Sequence, residues 1–122
     1  MAATALNVEE VGGVTVVGFR DAAMLDAVTI QRVSRELYDV VEGQGRRKVV
    51  LAFKEVRFLA SQALGVLLTL RRKAEAVGAK VVICGLRPEL ARVFHITNLD
   101  RMFDFLDTRD EAITKLGGTP PT

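Results

Sequence analysis

Apolar residues cluster or alternate over 6–11 and 14–19: Leu6, Val8 and Val11, then Val14, Val16, Val17 and Phe19. Gly12 and Gly13 separate the two runs, and β-forming runs joined by Gly-Gly predict a hairpin. The period then changes. Ile30, Val33, Leu37, Val40 and Val41 follow a helical spacing in a segment opening at Asp26, with Gly43 and Gly45 ending it as C-terminal glycines do. Residues 48–53 form a short continuous apolar run, the pattern of a strand buried on both faces. A second helix is predicted from Ser61 to about Val77, with Leu67, Leu70, Ala74 and Val77 as one stripe and Gly78 closing it. Strand 81–84 follows. Pro88 opens a third helix at a position where a missing N–H costs little, and Leu90, Val93 and Phe94 give it an apolar face. Asn98 suits a left-handed cap at its end. Residues 103–106 predict a last short strand, and a fourth helix follows, ending near Leu116.

The order is ββαβαβαβα. A hairpin followed by β-α-β units implies an α/β fold: a mixed sheet of about five strands whose parallel part is covered by about four helices. In a chain of 122 residues this is one domain, over 6–116, with a short extension at 1–5 and a Gly/Pro/Thr tail at 117–122.

Composition narrows the function. Seventeen basic and fifteen acidic side chains leave a net charge of +2, without a basic tract and with one Tyr and no Trp. A nucleic-acid surface would show clustered Lys/Arg with stacking aromatics, so no nucleic-acid partner is expected. The single cysteine, Cys84, cannot form an internal disulfide and reads as a buried strand residue, which suits a reducing compartment. No stretch reaches the ~20 apolar residues of a membrane span. The start, Met1 to Val8, has no basic segment and reads as no signal peptide. The expectation is a cytoplasmic protein with no direct membrane insertion. One Cys and one His, His95, leave a metal site without a matching ligand pair, and His95 reads as a surface or partly buried helix residue. Neither Gly43-Gln44-Gly45 nor Gly85-Leu86-Arg87-Pro88 is a phosphate-binding loop. No cofactor and no enzymatic activity are expected.

The most informative stretch is Phe58-Leu59-Ala60-Ser61-Gln62-Ala63-Leu64-Gly65-Val66-Leu67-Leu68. Ser61 stands where a loop becomes a helix. Serine there is an N-cap, because its oxygen accepts from an unpaired backbone N–H. A phosphate on the same oxygen would face those N–H groups and the positive end of the helix dipole. Between residues 63 and 70 the helix is apolar nearly all round, so either a neighbour covers its second face or part of it is exposed for docking. Gly65 either lets another molecule approach closely or serves packing in the fold. Asp26 reads as the cap of the first helix or as a polar contact beside Ser61. Arg71-Arg72-Lys73 reads as a solvated helix face.

Three stretches together resemble the STAS domain (sulfate transporter and anti-sigma-factor antagonist), in particular its small, free-standing bacterial antagonists. They are Lys48-Val49-Val50-Leu51-Ala52-Phe53-Lys54-Glu55-Val56-Arg57-Phe58-Leu59, the run Ala60 to Leu68, and Phe94-His95-Ile96-Thr97-Asn98-Leu99-Asp100-Arg101-Met102-Phe103. The resemblance implies an anti-sigma-factor antagonist that binds a serine kinase/anti-sigma factor of the histidine-kinase-like ATPase type. It implies phosphorylation of Ser61 by that kinase and its reversal by a serine phosphatase. Ala60, Gln62 and Ala63 stand where the family has Asp, Ser or Thr, and Gly. Partner contacts are expected at Asp26, Gln62, Leu64, Gly65 and Val66. The competing reading is a STAS scaffold or regulatory subunit of a signalling or transporter complex, never phosphorylated.

Overall fold

The computed structural model describes residues 6–19, 29–57, 59 and 61–120. Asp26, Phe58, Ala60 and the extension at 1–5 lie outside the described residues. Two strands, β1 (Leu6–Val11) and β2 (Val14–Phe19), are joined by Gly12-Gly13. Both glycines have positive φ, 57° and 89°, the backbone that a two-residue turn needs to follow the twist of its strands. Then come α1 (Thr29–Glu42), β3 (Lys48–Ala52), α2 (Ser61–Ala76), β4 (Lys80–Cys84) and α3 (Pro88–Ile96). A 3-10 turn (Leu99–Arg101), β5 (Asp104–Leu106) and α4 (Arg109–Lys115) complete the chain.

The strand order is β1-β2-β3-β4-β5. β1 and β2 are antiparallel; β2 to β5 are parallel. Each parallel crossover steps in the same direction across the sheet. Right-handed crossovers of that kind put their helices on a single face, and the core shows this. Val17, Phe19, Val49, Leu51, Phe53 and Ile83 pack with Val33, Leu37, Leu67, Leu70, Leu90 and Phe94 from α1, α2 and α3. The other face carries Val14, Val16, Val50, Val82 and Cys84, covered by Ala112, Ile113 and Leu116 at α4. Phe53 is the hinge of the larger cluster, edge-on to Phe19 at 5.1 Å and to Phe94 at 6.3 Å between ring centroids.

Helix ends follow the sequence signals. Pro88 takes the first position of α3 after Arg87. Asn98 is left-handed, with φ of 61°. Thr108 caps α4 reciprocally with Glu111: the Glu111 amide donates to the Thr108 hydroxyl and the Thr108 amide to the Glu111 carboxylate, each at 3.1 Å. The start of the tail is anchored, with the Gly118 amide donating to the Ile113 carbonyl and the Thr119 amide to the Gly12 carbonyl.

Candidate functional site

The loop after β3 delivers the chain to the carboxyl end of the sheet, where α2 begins at Ser61 itself. Ser61 is therefore the first helical residue and not the N-cap expected from the sequence. Its amide is one of those with no acceptor inside the helix. The side chain is exposed.

From Ser61 the helix sorts its residues by face. Ala63, Leu67, Leu70 and Ala74 are buried. Val77, expected in that stripe, lies one residue beyond the helix and is half-buried. Gln62 and Gly65 are exposed; Leu64, Val66 and Leu68 are half-buried against the core. Val66 lies on the α1 side, lining a small apolar recess with Ile30, Val33, Leu37 and Leu59. A neighbour thus covers part of the second face, and the start of the helix stays accessible.

Gly65 is the most telling of these residues. Among the described residues, nothing outside the helix backbone lies within 4 Å of where its Cβ would sit. Packing among the described residues therefore gives no reason for a glycine there, although glycine costs a helix interior about 1 kcal/mol relative to alanine.

Two residues of the basic run also serve the fold while staying partly solvated. The Arg71 Nε–H donates to the Met102 carbonyl at 2.6 Å, and the guanidinium pairs with Glu75 at 2.9 Å. Lys73 meets both Glu42 oxygens at 3.1 and 3.2 Å and sits 5.0 Å from the Tyr38 ring centre. Arg71 ties α2 to the turn beyond α3, and Lys73 ties it to α1; of the three only Arg72 is exposed. The tying partners Met102 and Glu42 lie 31 residues away, beyond the reach of any local pattern.

His95 is exposed, its Nδ1 2.8 Å from an Asp100 oxygen. Cys84 is buried, and burial pushes its thiol up to about 11, against a smaller opposing pull from Arg109. No group of three potential metal ligands exists among the described residues. No described helix is long and apolar enough to cross a membrane.

The helix start thus presents a hydroxyl, a carboxamide and an exposed glycine beside half-buried aliphatics, on a mixed α/β sheet. That architecture is found in a known family: the chain belongs to the STAS domain family, whose profile matches residues 5–112. The anti-sigma F factor antagonist of Paenibacillus polymyxa is 24% identical, over 91% of this chain and 93% of that protein. An anti-sigma factor antagonist from Mycobacterium paratuberculosis superposes with a TM-score of 0.80 at 27% identity, covering 92% of each chain. The phosphorylated form of SpoIIAA, a Bacillus cell fate determinant, has a TM-score of 0.67 at 22% identity, covering 91% of this chain and 98% of that one.

Proposed function

We propose that this protein is an anti-sigma-factor antagonist that docks a serine kinase/anti-sigma factor on the exposed start of α2, and that phosphorylation of Ser61 releases it. One observation carries the reading: Ser61, Gln62 and Gly65 share an accessible helix start in which the glycine answers no packing need among the described residues. Relatives bearing the antagonist name over nearly the whole length support it. Gln62 and Gly65 contact the partner directly, and Leu64 and Val66 shape the apolar flank. Asp26 supplies a further polar contact.

The switch is electrostatic. Phosphate adds about −1.5 to −2 charges at neutral pH. At the first helical position the helix's own N–H groups and dipole stabilise that charge, so modification leaves the fold intact while placing a hydrated dianion inside the docking surface. ATP belongs to the partner kinase, and a serine phosphatase restores the hydroxyl.

The test is to incubate the chain with ATP and the serine-kinase anti-sigma factor encoded nearest its gene. Label should appear on Ser61 and vanish in Ser61→Ala. Ser61→Asp should weaken binding at least tenfold with a melting temperature no lower than the parent's. A kinase active on another substrate that leaves Ser61 unlabelled would reject the switch and leave the scaffold reading.

A further inference from the structure

The second face of the sheet carries a feature independent of Ser61. One register row crosses all five strands: Asn7 pairs with Gly18, Gly18 with Ala52, Ala52 with Cys84, and Cys84 with Leu106. The parallel row two residues earlier is Glu9, Val16, Val50, Val82 and Asp104, whose three valines lie in the cluster under α4. Large side chains under a helix thus give way to Gly, Ala and Cys at the carboxyl end, where Gly18, Ala52 and Leu106 are partly exposed while Cys84 stays buried beside α4. The result is a trough across the sheet, within an open cleft of about 950 Å³. Four strand spacings make it roughly 19 Å long.

Two details point to an occupant. A Cβ at Gly18 would meet only Asn7 among the described residues, at 3.9 Å, and the Gly18 φ is not in the left-handed region. Glycine weakens a strand interior, and where neither backbone nor packing requires it, it marks close approach by something else. The second detail is Arg87, which lines the same cleft and whose buried Nε has no hydrogen-bond partner among the described residues. A buried donor without an acceptor carries a desolvation cost that an anionic ligand would remove.

The rim sets the charge of that ligand. Lys54 stands with Arg87, and Glu55 and Asp107 line the same cleft. Arg109 is already held by Glu9 at 2.7 Å. A polyanion would meet the carboxylates of Glu55 and Asp107, whereas a single negative group has the two cations of the lining, Arg87 and Lys54, to pair with. The partly exposed floor of Gly18, Ala52 and Leu106 suits a slender apolar body.

We propose that this trough binds an amphipathic monocarboxylate, its head on Arg87 and Lys54 and its chain over Gly18 and Ala52. Octanoate titrated into the ¹⁵N-labelled full chain at pH 7 tests this. Saturable shifts should centre on Gly18, Ala52, Cys84, Leu106 and Arg87. 1-Octanol, lacking the charge, should bind at least tenfold more weakly, and Arg87→Gln should lower octanoate affinity about tenfold. Gly18→Val should fill the trough and abolish binding while melting no lower than the parent; Ala52→Leu, checked for native circular dichroism, is the second filling variant. Absence of saturable shifts, equal affinity for octanoate and octanol, or binding that survives both filling variants would overturn the proposal.

Discussion

Replacing Gly65 with alanine should make the protein more stable and a poorer binder. The stability part follows from the helix alone. Gly65 is exposed in α2, and its missing Cβ would meet no described residue beyond the helix backbone within 4 Å. Alanine therefore introduces no clash and contributes the full difference in helix propensity, about 1 kcal/mol. For a chain of 122 residues, an unfolding entropy of about 2.1 cal/mol/K per residue converts this to a rise of about 4 °C in melting temperature. In urea, where small proteins lose ~1–3 kcal/mol per molar, the midpoint should rise by roughly 0.3–1 M with unchanged slope. The binding part follows from the proposed interface: a methyl group where a partner backbone closes on the helix should weaken association about tenfold. Urea melts and calorimetric titration with the anti-sigma factor measure both on one preparation. A lower melting temperature would mean that the fold itself needs the glycine. A higher one with unchanged affinity would remove Gly65 from the docking surface. A gain in stability coupled to a loss of binding is the trade expected where function holds a site away from its stability optimum.

Other consequences can be measured without a partner. Phe53→Ala removes a side chain only 1% exposed and two edge-on ring contacts; a loss of about 3–5 kcal/mol is expected in chemical denaturation. Thr108→Ala removes the hydroxyl half of the α4 capping box and should cost about 1 kcal/mol, with a smaller loss for Thr108→Ser. The Cys84 thiol, held protonated up to about 11 against 9.0 for the free group, should resist alkylation at pH 8 until the chain unfolds. Because its folded pKa is the higher one, the unfolded state gives up the proton first. Its stabilising contribution is complete below pH 9 and declines as pH rises from about 9 toward 11, a decline that Cys84→Ala should remove from urea melts across that range.

The order ββαβαβαβα, the hairpin glycines and the buried stripe of α2 were legible in the sequence because each is a property of one contiguous segment. Alternation sends a side chain to one face or the other, and helical spacing selects a stripe, whatever the rest of the molecule does. The place of Ser61 at a helix start and the membership in the STAS family came from the same local runs. Tertiary structure alone decided what depends on how segments meet. Whether Gly65 was required by packing could be answered only once its surroundings existed in space. Arg71 and Lys73 read as a solvated helix face, and only the fold brings Met102 and Glu42 within their hydrogen-bond reach. Asn7, Gly18, Ala52, Cys84 and Leu106 are scattered over the chain, and only the register of five strands sets them side by side. Segment-level periodicity records which way a residue points; pairing between distant segments determines what it points at.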